Sequence, residues 1–427
     1  MSVAIPIDHQ ILVEDLERQL AHWLAAARTF RDAEEFASLA AWQSVERTVG
    51  MPLRQQLHGI VEDLISHGEA CSKAIAAARN EPALVAEAQA ALQAFRRRYV
   101  QVDTTLDFFG DAVNTRTSPK LCAALTELDR LAEVSMAAVL AAAGKPVPPV
   151  LVYQDKGTGA SILRAGIRLW VPGAVMPVAA IKIVRHNLYR PTSLFHECGH
   201  QVAHLTGWVP AMRSAIAAAL AGDAELQRMW TPWSSEIAAD VFAFLHTGYA
   251  SVAALYDVVG DIRTILRWPV GDPHPIGWLR TALGCAMSAE VFGQAGPWSA
   301  LMRAMRAHHP PARADETLRP LLARSLAAIS KIAHVCLSAP VPALGSRPMT
   351  SVLDPARVRP SALAELERSA GAALWTSPYW RRAEGIRILA LAGLREAEKP
   401  VSADLWISRA RAWLTAEPAA EVANARS

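Results

Sequence analysis

The sequence predicts a mainly α-helical protein with a small β-sheet. Two observations predict this class. In residues 11–130 and again in residues 362–427, apolar side chains recur every three or four positions, which is typical of one face of a helix. After a break rich in Pro and Gly at residues 144–149, apolar side chains instead alternate at every second position, as in a strand with one buried face. The helical pattern covers more of the chain, so we expect the sheet to be confined to the middle.

Composition excludes several classes of protein. The chain has 427 residues, 52% of them hydrophobic, which is ample material for a core. Its 43 basic residues nearly balance 40 acidic ones, and the net charge of +3 gives no strong field for a nucleic-acid partner. We therefore expect no nucleic acid among its partners.

Three absences in the sequence bear on the location of the protein. The five cysteines lie far apart, without the paired short spacings of a disulfide framework, which indicates a reducing compartment. The first 14 residues lack the basic start and apolar stretch of an export signal. No run of about 18 uncharged apolar residues occurs, so no membrane span is expected. These patterns predict a cytoplasmic protein.

Breaks in composition divide the chain into four predicted regions. Residues 1–145 form an N-terminal helical region, and residues 146–338 form the domain that contains the sheet. Five prolines between positions 338 and 360 forbid a continuous helix, so residues 339–361 are predicted as a Pro-rich linker. Residues 362–427 form a C-terminal helical region.

The middle domain has two predicted strands and then a helix. Alternation predicts strands at residues 161–171 and 179–185. Thr192 and Ser193 are candidate N-caps of a helix that runs through residue 205 and is closed by Gly207.

That helix contains the motif with the clearest chemistry, a His-Glu-x-x-His sequence from His196 to His200. Residues four apart on a helix differ by only about 40° around its axis, so His196 and His200 leave the same face and can bind one ion. Glu197 lies beside that face, where it could hold a metal-activated water and remove its proton as a general base. The spacing therefore indicates metal-dependent hydrolysis.

A catalytic zinc site also needs a third protein ligand and an open position. The metzincin spacing would place Gly at position 203 and His at position 206, but the sequence has Ala203 and Thr206. A second predicted helix instead has Glu236 and Asp240 four residues apart among apolar neighbours. We predict Zn²⁺ bound by His196, His200 and Glu236, with Asp240 accepting the other ring N–H of a ligand histidine.

These residues resemble the pattern of the gluzincin class of zinc metallopeptidases, in which a His-Glu-x-x-His helix is followed by a Glu-x-x-x-Asp helix. The Glu-x-x-Ala-Asp version here is similar to that of CAAX-protease-type and related bacterial gluzincins. The resemblance covers about residues 150–310. It implies a zincin-like metallopeptidase fold for the middle domain, flanked by the two helical regions. It also implies that Glu197 is the general base and that a substrate peptide pairs with the strand at residues 179–185.

A His-Pro stretch with a trailing Arg, residues 271–280, is also similar to a segment of some gluzincins. His274 could donate to the oxyanion of a tetrahedral intermediate, with Asp272 or Arg280 as an orienting or charge-stabilising neighbour. A helix start with a surface His274 is the alternative. Two further residues of the metal helix are expected to serve structure: His204 as a packed histidine or one beside a ligand, and Cys198 as a buried thiol.

The sequence thus predicts a zinc-dependent peptidase with a protein or peptide substrate, and with Glu197 and His274 as catalytic residues. The alternative is a non-enzymatic helical interaction protein with a structural zinc site, in which the flanking helical regions bind a protein partner. Coordination of the metal by His204 would favour that alternative, because a fourth protein ligand closes the site.

Overall fold

The computed structural model describes residues 9–46, 49, 51–157, 159–166, 175–268 and 272–416. The predicted class is confirmed, because the described residues are mainly helical and include a small mixed sheet. The chain divides into two compact units, Met1–Cys122 with Ala165–Val178, and Ala123–Arg164 with Ala179–Ser427. This division falls at different residues from the four regions predicted from composition.

The first unit is built from helices. They are α1 (His9–Thr29), α2 (Leu39–Val45), α3 (Met51–Asn80) and α4 (Val85–Asn114). Helix α1 buries Leu16, Leu20 and Leu24, which are spaced by four residues and so lie on one face. Gly68 of α3 lets the helices approach, since a Cβ at that position would lie 2.6 Å from a methyl group of Leu24. The segment Ala165–Val178 joins this unit partly through a hydrogen bond from Gln56 to the Val175 carbonyl.

Helix α5 (Pro119–Ala142) begins in the first unit and continues into the second. The elements that follow α5 are β1 (Val150–Gln154), β2 (Ser161–Leu163), β3 (Ala179–Ile183), α6 (Thr192–Thr206), α7 (Trp208–Ala219), α8 (Ala224–Trp230), α9 (Ser234–Thr247), α10 (Tyr249–Val259), α11 (Gly277–Phe292), α12 (Pro297–His308), α13 (Arg319–Ser338), β4 (Pro340–Val341), β5 (Arg347–Pro348), α14 (Pro360–Ala370), α15 (Ala373–Thr376), α16 (Pro378–Glu398) and α17 (Ala403–Leu414).

The three-stranded sheet has the order β1-β3-β2. Strand β3 is central, parallel to β1 and antiparallel to β2, and Ile181 is paired with Val152 on one side and Ile162 on the other. The strand predicted at residues 179–185 is present and ends at Ile183. The strand predicted at residues 161–171 is shorter than expected, because β2 ends at Leu163; residues 167–171 lie outside the described residues.

The outer edge of β1 is covered by carboxylates of α5. The backbone N–H of Val152 donates to Asp129 at 2.7 Å, and that of Val150 donates to Glu133 at 3.2 Å. A strand edge with unpaired backbone groups is a template for pairing with another chain. These two acidic side chains therefore occupy donors that a further strand would need.

Helices α6 and α9 pack closely, and this contact positions the candidate site. Helix α6 was predicted, and it begins at Thr192 after Pro191 and ends at Gly207, which has a left-handed φ of 68°. Thr192 and Ser193 are thus its first helical residues and not N-caps. Gly199 allows the close approach, because a Cβ there would lie 2.8 Å from the Cα of Ala239 in α9.

The segment predicted as a Pro-rich linker, residues 339–361, contains β4, β5 and several turns of 3₁₀ helix. Its apolar side chains Val341, Leu344, Met349 and Val358 are buried. The segment therefore contributes to the packed interior of its unit.

One helix among the described residues, α13, is long and apolar enough to cross a membrane by length and composition alone. Core helices of proteins without membrane spans meet the same criterion. Helix α13 buries Leu322, Ile332 and Cys336 inside its unit, so this single match is weak evidence for a span.

Candidate metal centre

The three predicted ligands, His196, His200 and Glu236, lie together between α6 and α9. The Nε2 atoms of His196 and His200, one turn apart on α6, are separated by 3.1 Å. Each of these atoms lies 3.3 Å from a different oxygen of the Glu236 carboxylate, which projects from α9. Of the described residues, this group is the one whose donor atoms could hold a metal ion together.

The spacing of the donor atoms fits a divalent transition metal. Two ligands about 2.0–2.1 Å from a tetrahedral zinc ion are about 3.3 Å apart, close to the 3.1 Å between the two imidazole nitrogens and the 3.3 Å from each nitrogen to its nearer Glu236 oxygen. The carboxylate is buried, and its Oε2 atom forms no hydrogen bond with any described residue. Arg280 and His196 already place positive charge beside this oxygen, and the two imidazoles together with the carboxylate form a His, His, Glu set that could hold a metal ion.

A second layer of side chains orients the two imidazoles. Asp240, one turn after Glu236 on α9, lies 2.9 Å from the Nδ1 atom of His196, as the spacing predicted. The hydroxyl of Ser235 lies 3.3 Å from the Nδ1 atom of His200. If each Nδ1 carries a proton shared with these oxygens, each Nε2 has a free lone pair facing the other.

Arg280 forms an ion pair that the sequence analysis did not predict. The sequence offered it, or Asp272, as an orienting or charge-stabilising neighbour of His274. Its guanidinium donates two hydrogen bonds to Asp240, at 2.6 and 2.8 Å, and is only 8% exposed. One of its nitrogens also lies 3.4 Å from Glu236 Oε2. A signal was present, because Arg280 lies in an otherwise apolar stretch of α11, and a buried arginine requires a buried acid.

The electrostatics of the site favour cations. Burial opposes ionisation of Glu236, but contacts with His196 and His200 and the charge of Arg280 lower its pKa well below the usual value. Burial likewise opposes ionisation of Asp240, and Arg280 and His196 lower its pKa to about 2. Burial would lower the pKa of His196, yet Asp240 and Glu236 raise it to about 10. The two carboxylates thus attract positive charge to the imidazole nitrogens, whether a proton or a metal ion supplies it.

Glu197 follows His196 on α6 and is 6% exposed. Burial raises its pKa, while the neighbouring histidines and Arg280 act in the opposite direction without cancelling the effect. A carboxylate with a raised pKa is a stronger base in its ionised form, which suits general base catalysis.

His274 lies at the edge of the same site. Its Nε2 atom is 3.6 Å from Glu236 Oε2, and its Nδ1 atom is 2.5 Å from Asp272. The backbone N–H of His274 also donates to Asp272. The side chain of His274 is 55% exposed, so it is held by Asp272 and open to solvent. Its role as an oxyanion donor stays a prediction.

Two residues of α6 lie apart from the donor group. His204 is exposed, so the expectation of a packed histidine is wrong, and it is not a member of the metal-binding group. Cys198 is a buried thiol, as expected, with its sulfur 3.9 Å from the carbonyl of Ala132. Burial raises the pKa of Cys198 to about 12, so it is a neutral thiol at physiological pH.

The candidate centre opens into a cavity of about 990 Å³. Its lining includes His196, Glu197, Asp240, His274 and Arg280. Residues of α9, α10 and α11, most of them apolar, supply about half of the remaining lining, and Arg267, Asp272 and Asp315 add charged groups. The volume lies at the upper end of the range of small-molecule and peptide sites.

The prediction that the strand at residues 179–185 lies at the edge of the sheet is wrong. Residues 179–185 were expected to form an edge strand that pairs with substrate, but β3 is paired on both sides. Gly159 and Ala160, which immediately precede β2, line the cavity. Any pairing of a peptide with this sheet beside the cavity would therefore involve β2, because β3 has no free edge.

Comparison with protein-family models, with curated protein sequences and with solved structures yields no match. The case for function consequently rests on the geometry of the site and on the resemblance of its motifs.

Proposed function

We propose that this chain is a zinc-dependent peptidase. The observation that carries the proposal is the convergence of His196, His200 and Glu236 from two helices, at the separations expected around one tetrahedral ion, beside the acid Glu197. All four line or adjoin one cavity large enough for part of a peptide. An acid beside a metal centre and a binding cavity are the parts that hydrolysis needs.

The donor set favours zinc with a catalytic role. Two histidines and one glutamate form one of the known three-ligand sets of catalytic zinc, and three protein ligands leave a fourth position for water or substrate. An ion bound there would polarise the scissile carbonyl and lower the pKa of water toward about 7.

The residues of the chain then have separate tasks. Glu197 accepts the proton of the attacking water and transfers it to the leaving amine. Asp240 holds the His196 ring in the orientation that directs Nε2 to the ligand group. His274 and Arg280, which both line the cavity, are donors that could stabilise negative charge developing on the carbonyl oxygen.

The competing hypothesis is a structural zinc site in a helical interaction protein. It requires a fourth protein ligand, for which His204 was the candidate. Because His204 is exposed and lies outside the donor group, the described residues supply three ligands and favour the catalytic alternative. A protein partner bound by the flanking helical regions stays a prediction under either hypothesis.

The test combines metal analysis with a peptide-library cleavage assay on the full chain. We expect the purified protein to bind about one zinc ion and to cleave peptides, with activity removed by a chelator and restored by zinc. Glu197→Gln should keep the zinc and lose turnover. His196→Ala and Glu236→Ala should lose both.

His204→Ala is the matched control, since it removes an exposed histidine of the same helix and should change neither zinc content nor turnover. Equal zinc in the wild type and in His196→Ala would refute the ligand assignment. Full turnover by Glu197→Gln, or a zinc-loaded wild type that cleaves no peptide in the library, would refute the proposed activity.

A further inference from the structure

The cavity beside the candidate centre has three polar side chains that the proposed reaction does not use. Asn187, Thr192 and Ser193 line it, just before and at the start of α6. Asn187 is 4% exposed and Thr192 is 5% exposed, and neither side chain forms a hydrogen bond with any described residue. The hydroxyl oxygen of Ser193 is also buried without a partner among these residues. Buried polar groups in proteins are normally paired, so three unpaired groups on one cavity wall indicate a ligand.

The same three residues lie at the N-terminus of a long helix. Helix α6 has 15 residues, and no side chain caps it, because Pro191 is the residue at the N-cap. The first N–H groups of a helix have no acceptor within it, and they give this end a partial positive charge. Together with the amide of Asn187 and the two hydroxyls, they form a set of hydrogen-bond donors. Such a set suits an anion.

Other charged side chains in the cavity lining have both signs. Arg267 is exposed, and Asp272 and Asp315 oppose its charge. His274 also holds Asp272. The donors at the start of α6 are therefore the feature of this cavity that favours an anion.

Helix geometry places these donors about one turn from the candidate centre. Thr192 and Ser193 precede His196 by four and three residues, and Ser193 precedes Glu197 by four. Side chains with this spacing are neighbours, with about 5–6 Å between their Cβ atoms. An extended peptide advances about 3.3–3.6 Å per residue. A group bound by these donors therefore lies one or two residues along the peptide from a carbonyl held beside His196 and Glu197.

We infer that Asn187, Thr192 and Ser193 bind a carboxylate of the substrate peptide, one or two residues from the cleaved bond. The inference rests on the proposed function, because that function supplies the cleaved bond. A carboxylate is ionised at pH 7 and accepts several hydrogen bonds, which matches a set of donors. Two sources carry this group. One is the C-terminus of the peptide, which would make the protein a carboxypeptidase, and the other is the side chain of Asp or Glu.

The test measures binding of three pools of octapeptides to the full-length Glu197→Gln variant. All peptides carry an N-terminal dansyl label and are randomised without Asp or Glu. The first pool ends in a free carboxylate and the second in an amide, while the third ends in an amide but has Glu at one of its last two positions. We expect the first pool to bind at least about tenfold more tightly than the second, because hydrogen bonds to a charged group are the stronger ones. The same advantage in the third pool alone would assign the carboxylate to a side chain.

Asn187→Leu and Thr192→Val, made in the Glu197→Gln chain, remove donors and nearly keep the size of the side chain. Each should weaken binding of the pool with the carboxylate advantage at least about fivefold and leave the second pool within about twofold. Thr206→Val is the matched control, because it makes the same change at the other end of α6, outside the cavity lining. It should keep the carboxylate preference. All variants should keep the wild-type zinc content.

A urea titration distinguishes a ligand-binding role of Asn187 from a structural one. Its amide is buried and unpaired, so an apolar side chain of similar size removes a cost of burial. Asn187→Leu should therefore leave the urea midpoint unchanged or raise it, while it weakens binding of the carboxylate. A residue that served only the fold would show the opposite, a lower midpoint with an unchanged preference.

Equal affinity of the three pools, or no binding of any pool, would overturn the inference. So would a carboxylate preference that survives in Asn187→Leu and Thr192→Val and disappears in Arg267→Ala. The expected preference in a protein that cleaves none of the pools would keep the binding site and refute the peptidase. Cleavage of all three pools with equal kcat/KM by the zinc-loaded wild type would support the peptidase and overturn the carboxylate site.

Discussion

Substitution of Asp240 by Asn tests the most heavily connected residue of the site. The carboxylate of Asp240 is 2.9 Å from His196 Nδ1 and accepts two hydrogen bonds from Arg280. Asn keeps the shape and an acceptor oxygen but loses the charge. A neutral acceptor makes His196 a less basic ligand and holds its ring less firmly.

Two effects of different size follow from these contacts. Loss of a residue that orients a metal ligand commonly lowers metal affinity about 10- to 100-fold, which is about 1.4–2.7 kcal/mol. Asp240 is also half of a buried ion pair, since its side chain is 14% exposed and that of Arg280 8%. Removal of one partner of such a pair costs about 3–5 kcal/mol of folding free energy. We therefore expect lower zinc affinity together with lower stability.

The assay must separate these effects, and Arg280→Met allows this. Replacement of a buried ion pair by uncharged groups is often nearly neutral for stability, so Asp240→Asn with Arg280→Met should recover most of the stability lost in Asp240→Asn. Zinc affinity is measured by chelator competition on folded protein for the wild type, both single variants and the double variant. In the Arg280→Met background, Asp240→Asn should still lower zinc affinity at least about tenfold.

Unchanged zinc affinity on Asp240→Asn substitution in both backgrounds would contradict the role of Asp240 in holding His196. A loss that appears only when Arg280 is present would assign the effect to the unpaired guanidinium instead.

Three further predictions concern packing, protonation and the second ligand histidine. Gly199→Ala should separate α6 from α9, which lowers the free energy of unfolding by about 1–3 kcal/mol in urea titrations and weakens zinc binding. Gly59→Ala is the control, because no atom lies within 4 Å of the added Cβ. It should leave the free energy of unfolding unchanged or raise it. His246 contacts the rings of Phe195 and Phe242, and burial lowers its pKa to about 4. In the unfolded chain its pKa is about 6.5, so the unfolded chain takes up the proton first as the pH falls. The free energy of unfolding should therefore fall by about 2 kcal/mol between pH 7.5 and pH 5. Urea midpoints should show a smaller fall in His246→Phe, and an equal fall would exclude His246 as the cause. Ser235→Ala removes the hydroxyl near His200 Nδ1 and should lower zinc affinity by less than about tenfold, because the lost contact is neutral; a loss above that for Asp240→Asn would reverse this ranking.

The sequence was most informative about which side chains share one face of a helix, because local periodicity alone decides this. Four-residue spacing on a helix is nearly one turn, so His196 with His200 and Glu236 with Asp240 had to share faces wherever the helices lay. The short HECGH motif also contains Gly199, whose function is visible only in the structure, where it brings the backbone of α9 against α6.

The sequence was least informative about features that depend on contacts between residues far apart in the chain. The pairing of β3 on both sides depends on β1 and β2, so alternation alone could not distinguish a central strand from an edge strand. The ion pair of Arg280 with Asp240 was not predicted, because it depends on where α11 lies relative to α9. The exposure of His204 depends on which face of α6 the rest of the unit covers.

Other expectations from composition stay predictions. The geometry of the metal centre does not test three of them. These are a cytoplasmic location, the absence of nucleic-acid partners and the binding of a protein by the flanking helical regions. The same holds for the zincin-like fold of residues 146–338, for which the resemblance of motifs is the present support.

The most direct test of the central claim is anomalous diffraction at the zinc absorption edge from crystals of the zinc-loaded protein. We predict one strong peak about 2.0–2.2 Å from His196 Nε2, His200 Nε2 and an oxygen of Glu236, with the fourth position free of protein atoms. A peak that Glu236 does not reach, or one completed by a fourth side chain, would contradict a catalytic metal centre in this protein.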